Sequence, residues 1–425
     1  MLIHTIAASA LTLSVLGADR EPTQGSPPQM IDRIAVAGNY KTKDFVILRE
    51  LYYGPGDTLS DRILTEGIDR LRNIGIFADV NYTLTPTEDA SLVTVGIEVI
   101  ERPSWYLIPS FHWDRRKDKN HPLRGISVGS VIRNINMRGE AQIVQGGATI
   151  GARETLELAW YTPWVGRSPT SVGARTYREK TENRDTRQEE ILARAEVGLN
   201  RRVTKYHSIG FNTSFEEFER RSLDSPSVDD QYTAVATPSL RVAYDSRDLH
   251  ICPGSGSLLR TSVGHSRDWR TGRYNFTTYS LDLRHFRTIW GEHTVAAGVF
   301  TIVRRGIVPG YRKVRIGGGN TVRGWPEAHS SGIHSLVGTI EYRTPVLAEW
   351  RYNLPRRQQL DFSVVSHLFI DAGMAWSDSP FEERPLIGFG LGLRLLVPYR
   401  DAIRIDYAWD SHLRGRLHVA KGIKI

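Results

Sequence analysis

Arg323 stands in RIGGGNTVRGWPEAHSSG (315–332), a run with neither helical nor strand periodicity. Gly317, Gly318, Gly319 and Gly324 surround it. Each glycine inside a helix costs about 1 kcal/mol, so this run is a loop. A phosphate-cradling loop would close on Gly-Lys-Ser/Thr before a helix. Here Asn320 and Thr321 follow the glycines and no lysine is present. The stretch reads as a long ordered loop with Val322-Arg323-Gly324-Trp325 at its tip, and what it is for depends on what flanks it. Two acids stand on polar strand faces downstream. In SLVGTIEYRT, Glu341 alternates with Thr339 and Arg343; in LFIDAGMAW, Asp371 alternates with Gly373.

Other chemistries find no residues. There is no G-x-S-x-G elbow, no H-E-x-x-H and no P-loop, and GHSRD (264–268) lacks the closing glycine of the first. The thirteen histidines show no ligand spacing, and Cys252 is the single cysteine, so neither a metal nor an internal disulfide is expected. No cofactor and no enzyme activity follow from the motifs. The net charge is +8, but the arginines are scattered rather than blocked, which argues against a nucleic-acid partner and suits a lipid surface or a basic pore.

The elements that must position the arginine form two regions. Residues 1–18 carry a short apolar core ending in small residues, as a secretory signal peptide does, although the n-region lacks Lys and Arg. Residues 19–29 are a polar, Pro-rich linker. Residues 30–103 read as β-α-α-β-β. A strand ends at Gly38-Asn39, and a helix is expected over KTKDFVILRELY with Ile47 and Leu51 on one face. Ser60 caps a second helix carrying Leu64, Ile68 and Leu71, and Gly75 ends it. Val80, Tyr82 and Leu84 alternate in one strand and Val93, Val95, Ile97 and Val99 in the next. An antiparallel sheet with both helices on one face would bury these stripes.

From Trp105 the helical period vanishes. Alternating segments begin near 105, 124, 140, 154, 170, 189, 207, 233, 256, 273 and 293, then, after the glycine-rich loop, near 335, 360, 386, 402 and 416. In LIGFGLGLRLLV one face is Ile387, Phe389, Leu391 and Leu393, and the other Gly388, Gly390, Gly392 and Arg394; in AIRIDYAW the polar face is Arg404 and Asp406. A soluble sandwich and a membrane barrel both use such strands. Charges well inside strands, lengths near ten residues and aromatics at strand ends (Trp105, Trp160, Tyr161, Trp376, Tyr399, Trp409) favour the barrel. The expected fold is mainly β: a small α+β unit, then a sixteen-stranded antiparallel transmembrane barrel over 104–425 with a long sixth loop, 305–334.

These residues carry a family likeness. The GN, PGD, RLRNIGIFADV and VIERP segments of residues 30–103 resemble a POTRA (polypeptide-transport-associated) domain. YDSRD (244–248) followed by PGSGS resembles a strand-turn motif of the outer-membrane assembly barrels related to BamA and TamA, with Asp245, Arg247 and Asp248 as its polar members. GGGNTVRGW resembles the arginine-bearing sixth extracellular loop of that superfamily, and LFIDAGMAW its following Asp-containing strand. The resemblance implies a bacterial outer-membrane barrel with its POTRA in the periplasm. It also implies that the sixth loop folds into the lumen, where Arg323 meets Glu341 and Asp371; the plainer reading is that the cluster only fills the pore. The partners implied are unfolded outer-membrane or secreted clients, outer-membrane lipid, and periplasmic chaperones or accessory lipoproteins. The function implied is assembly or translocation of β-rich proteins through POTRA edge pairing and a lateral seam between the first and last strands. The alternative is a two-partner secretion-type pore for one passenger. The sequence departs from the family pattern in carrying one POTRA, in ending on Ile425 rather than an aromatic, and in placing Lys421 on the lipid-facing parity.

Overall fold

The computed structural model describes residues 29–113, 125–183, 187–222, 231–380, 383–397, 401–422 and 424–425. The signal-peptide expectation, residues 1–18, and Tyr399 lie outside the described residues.

The N-terminal unit holds β1 (Met30–Ala37), α1 (Asp44–Leu48), α2 (Asp61–Ile74), β2 (Phe77–Pro86) and β3 (Leu92–Glu101). Helix α2 begins where Ser60 Oγ accepts from Ile63 N (3.4 Å) and stops at Gly75, whose φ of 76° few other residues adopt. Helix α1 is shorter than its periodicity suggests. The backbone N–H groups of Lys41 and Thr42 are drawn to the Glu101 carboxylate (3.1 and 2.7 Å), which keeps them out of a helical turn. After Leu48 the bonds tighten to i→i−3, from Glu50 to Ile47 and from Leu51 to Leu48.

The expected antiparallel sheet is instead mixed, in the order β1-β3-β2, with β1 parallel to β3 and β2 antiparallel to it. The two helices carry the chain out and back, so β2 runs opposite to β1; β3 reverses again and lies parallel to β1. Val95, Ile97 and Val99 of central β3 are buried with Val46, Ile47, Leu64 and Leu71 of the helices. The layer covers only the inner part of β2: Val80 is buried, whereas Tyr82 and Leu84 stand exposed.

The second region is one sixteen-stranded antiparallel sheet. Its strands are β4 (Trp105–Trp113), β5 (Ile126–Met137), β6 (Gln142–Gly151), β7 (Arg153–Thr162), β8 (Thr170–Asn183), β9 (Gln188–Arg202), β10 (His207–Ser222), β11 (Gln231–Asp245), β12 (Gly256–Asp268), β13 (Asn275–Trp290) and β14 (His293–Ile307). A small hairpin, β15 (Val314–Ile316) with β16 (Ser330–Gly332), lies within the sixth loop. The sheet resumes with β17 (His334–Leu354), β18 (Gln358–Trp376), β19 (Leu386–Val397), β20 (Asp401–Asp410) and β21 (Gly415–Lys421). Each barrel strand pairs with its neighbours in sequence, so the period-2 alternation acts uniformly. Ile387, Phe389, Leu391 and Leu393 face outward and exposed, while Arg394, Arg404, Asp406, Glu341 and Asp371 are fully buried on the lumenal side. Among the described residues no helix is long and apolar enough to cross a membrane; the strands make the crossing.

Candidate functional site

Loop six carries Arg323 to the middle of the lumenal wall. Its backbone N–H and Nε both donate to Asp371 Oδ2, at 3.0 and 2.8 Å, and Nη2 donates to Asp371 Oδ1 at 3.0 Å. Nη2 also lies 3.1 Å from Glu341 Oε1, and Nη1 lies 3.6 Å from Asp406 Oδ2. The guanidinium carbon sits 3.3 Å from the centroid of the Phe369 ring, a cation–π contact on its remaining face. Neighbouring strands supply these partners side by side: Thr339 of β17 pairs with Asp371 of β18, and Gly392 of β19 with Asp406 of β20. Thr339 Oγ1 donates to Asp371 (2.9 Å), and His367 Nε2 lies 2.7 Å from Asp406, which leaves each acid braced before the arginine arrives. Arg323, Glu341, Asp371 and Asp406 have no solvent exposure. Loop six itself covers the cluster and closes it off from the open lumen.

The rest of the motif explains the close approach. Val322 is buried with Ile316, Trp325, Val337, Ala375 and Leu386. Trp325 Nε1 donates to Ile387 O (2.9 Å), Gly324 N to His418 Nε2 (3.0 Å), and Arg416 Nε to Gly324 O (2.9 Å). Gly324 takes φ 89°, and a Cβ there would meet Trp409 O at 2.5 Å. On the wall, a Cβ at Gly388 would lie 1.8 Å from Arg323 O. Thus Gly388 of β19 is the point at which the wall makes room for the arginine's backbone.

Sequence reasoning missed three participants. Asp406 was visible only as a polar-face residue beside Arg404. Lys424 Nζ lies 2.5 Å from Asp371 Oδ1, because the chain beyond β21 turns into the lumen; there Ile425 is buried against Phe286 and Ala296, and its O accepts from Arg343 (2.6 Å). The third is a second hold on loop six. Tyr311 stacks on Phe218 of β10 (centroids 4.1 Å, 9°), and Arg312 Nε pairs with Glu216 Oε1 (2.7 Å), whose other oxygen takes Arg194 (2.7 Å). Strand β10 stands across the barrel from β20, so the loop spans the lumen between two walls.

Asp245, at the end of β11, and Arg247 and Asp248, in the turn after it, lie elsewhere, facing the N-terminal unit. Arg247 grips Asp245 with two bonds of 2.8 Å, and Asp248 accepts from the N–H groups of Gly254 and Ser255. The ordered turn then meets α2: Asn73 donates to Asp248 O (2.6 Å) and accepts from His250 N (2.8 Å). Other turns and strand ends on that side do the same. Glu50 holds Arg202 (2.7 Å) and Trp164 Nε1 (2.6 Å), Glu66 holds Lys205 (2.9 Å), and Arg102 holds Asp361 through two bonds. The turn between β5 and β6 goes furthest, since its flanking Ile135 and Ala141 join the core of the N-terminal unit. Burial pushes the Glu66 carboxyl up, but the Lys205 hydrogen bond and charge outweigh it and hold it below the usual range. For Asp69, burial prevails, helped by the nearby Asp248 and Glu66, and the carboxyl rises. Asp69 and Glu66 border a cavity of about 490 Å³ between α2 and the turns after β9 and β11.

The first and last barrel strands form no backbone ladder with each other among the described residues. They are also short, nine residues in β4 and seven in β21. Trp105, Leu107, Leu417 and Val419 flank this seam, all exposed.

This geometry agrees with the comparisons. Residues 136–418 match the Omp85 superfamily domain, and residues 29–102 match the POTRA family described as surface antigen variable number repeat. The outer membrane protein assembly factor BamA of Nitratidesulfovibrio vulgaris is 22% identical over 306 residues, which cover 69% of this chain and 37% of that protein. A putative outer membrane protein assembly factor of Treponema pallidum is 25% identical over 169 residues, 39% of this chain and 19% of that protein. The chain therefore spans well under half the length of these curated relatives. Among solved structures, BamA from Haemophilus ducreyi lacking POTRA domains 1-3 aligns with a TM-score of 0.54 at 14% identity, covering 93% of this chain and 84% of that one. CdiB from Escherichia coli aligns with a TM-score of 0.61 at 14% identity, covering 93% and 75%. With the family domain matching most of the barrel and a POTRA domain preceding it, this chain belongs to the Omp85 superfamily of outer-membrane proteins.

Proposed function

We propose that this protein is a non-enzymatic factor that inserts or exports β-rich outer-membrane or surface proteins. The seam between β4 and β21, without a backbone ladder among the described residues, supports the reading most directly. An open strand edge is a row of unsatisfied N–H and C=O groups, and a client strand satisfies them by joining the sheet. The POTRA supplies an earlier edge in β2, whose outer half, with Tyr82 and Leu84, is exposed. A client pairs there first and is then handed to the seam. Loop six, held by Arg323, keeps the lumen wall beside the seam in place. A second reading, favoured by the likeness to CdiB, is a two-partner secretion-type pore for one passenger. In that reading the path is the lumen, and the strap of loop six must leave it.

The seam reading is tested by bridging Leu107→Cys on β4 and Leu417→Cys on β21 with a cleavable thiol crosslinker in a Cys252→Ser background. Crosslinking should stop client insertion, and reductive cleavage should restore it. Quantifying all outer-membrane proteins after depletion separates the readings: broad loss marks a general factor, and loss of one protein marks a dedicated exporter. A locked seam with client levels unchanged eliminates the seam mechanism.

A further inference from the structure

Helix α1 leaves a row of large apolar side chains uncovered. Phe45 is 44% exposed, Leu48 41% and Tyr52 48%. Phe45 and Leu48 stand three apart on one face of the helix, and Tyr52, beyond the tightened turn, has Arg70 of α2 4.0 Å from its ring centroid. Val46 and Ile47, from the same helix, are wholly buried in the POTRA core, so the exposed row is a second face and not a frayed core.

That face lies against the barrel's rim. Lys43 Nζ sits 5.7 Å from the centroid of the Phe45 ring and also pairs with Glu140. Arg49 sits 5.3 Å from the same centroid and donates to Glu140 O at 3.2 Å. It is also 5.2 Å from the ring of Trp164. Glu140 belongs to the turn between β5 and β6, and Trp164 to the turn between β7 and β8. Both cations on the Phe45 ring are therefore bound to the periplasmic rim, and the ring is held there with them. Beyond these turns, strands β5 and β7 carry Ile132, Leu156, Leu158 and Trp160 exposed on their lipid-facing side. Val165, in the second of the two turns, is exposed as well. Through Arg49, the Phe45 ring thus adjoins the turn that carries Trp164 and the exposed Val165. By contrast α2 turns Asp61, Arg62 and Thr65 outward.

We propose that α1 and the turn between β7 and β8 seat in the phospholipid headgroup layer of the periplasmic leaflet. Phe45, Leu48 and Val165 enter the boundary with the acyl chains, and Tyr52 lies at headgroup level. Aromatic side chains favour this layer, and an amphipathic helix lies in it with its apolar face about 5–10 Å deep. Lys43 pairs with the Glu140 carboxylate, and Arg49 donates to the Glu140 carbonyl and has Glu50 as its strongest charge partner, so apolar insertion rather than charge holds the seat. The seat therefore forms on zwitterionic as well as anionic lipid. It fixes the POTRA to the membrane on the side of β5–β8, independently of its ion pairs with the barrel turns.

The test uses the full chain with Cys252→Ser, folded into phosphatidylcholine vesicles with or without lipid bearing a headgroup spin label. An environment-sensitive fluorophore is attached to one cysteine at a time: Leu48→Cys, the lipid-facing control Leu158→Cys, or Ala90→Cys. Ala90 lies in the turn between β2 and β3, at the end of the sheet away from the barrel. The fluorophores of the Leu48→Cys and Leu158→Cys variants should be quenched by the labelled lipid, and that of Ala90→Cys almost not at all. Adding Phe45→Ser to Leu48→Cys should weaken the quenching, while the heat-dependent gel shift shows the barrel still folded. If Leu48→Cys behaves like Ala90→Cys while Leu158→Cys is quenched, the face meets water or a protein instead, and the proposal fails.

Discussion

Asp371 Oδ2 accepts two bonds from Arg323, one from the backbone N–H at 3.0 Å and one from Nε at 2.8 Å. The same oxygen thus fixes both the main chain of the loop tip and the root of the guanidinium. A side chain that merely filled the pore would not need its own backbone held by its charge partner. Removing one member of a buried pair strands the other, at about 3–5 kcal/mol. Arg323→Ala should therefore release loop six to protease in intact cells. Arg323→Lys should restore protection only in part, because a point charge cannot span Asp371 and Glu341 together. Glu341→Gln should cost less in the Arg323→Ala background than alone. Strict additivity, with equal protection of the loop, would show that the arginine anchors nothing.

Gly388→Ala should dislodge the loop without touching any charge. The added Cβ would lie 1.8 Å from the Arg323 carbonyl oxygen, and backbone cannot yield as a side-chain tip can. Overpacking of this kind costs about 1–3 kcal/mol. Gly338→Ala is the control, since its nearest neighbour would stand at 3.9 Å. Loop proteolysis should rise for the first and stay at the wild-type level for the second.

Glu216→Gln should loosen the other end of the strap. Arg312 and Arg194 both rest on that carboxylate, at 2.7 Å each. The amide keeps the shape and removes the charge. Conductance in planar bilayers should rise while Arg323 stays seated. The two ends share no partner, so Glu216→Gln and Arg323→Ala should add within about 0.5 kcal/mol. Unchanged conductance in the single variant would mean that the Tyr311–Phe218 stack suffices.

Acid should loosen the POTRA from the barrel through Glu66. Its folded-state carboxyl titrates below the usual value because the Lys205 bond outweighs burial. A depressed carboxylate contributes stability above its unfolded pKa, about 4.3, and loses it as pH falls through the lower folded value. Crosslinking between α2 and the turn after β9 should decline in that window, and Glu66→Gln should remove this pH dependence. Asp69 has the opposite sign. Its carboxyl is raised, so its ionised form opposes the docked state at neutral pH. Asp69→Asn should tighten docking at pH 7; looser docking would contradict the assignment.

The strands, their faces and the helix caps were legible in the sequence because they are local. Alternation of period two needs only neighbours to reveal it, and starts near 207, 256, 293 and 386 coincide with β10, β12, β14 and β19. Ser60 and Gly75 announce α2 through their own hydrogen-bonding and conformational preferences. Parity also separated Glu341, Asp371 and Asp406 from the lipid face, but parity cannot say which lumenal acid an arginine reaches. That is decided by strand register and by the height at which loop six descends, which set Asp371 at 2.8 Å from Arg323 and Asp406 at 3.6 Å. The parallel pairing of β1 with β3, the cut-short α1, the inward turn of Lys424 and Ile425, and the grip of Glu216 on Arg312 are likewise products of the tertiary structure. Each joins groups far apart in the chain, and their energy depends on a distance that no run of adjacent residues encodes.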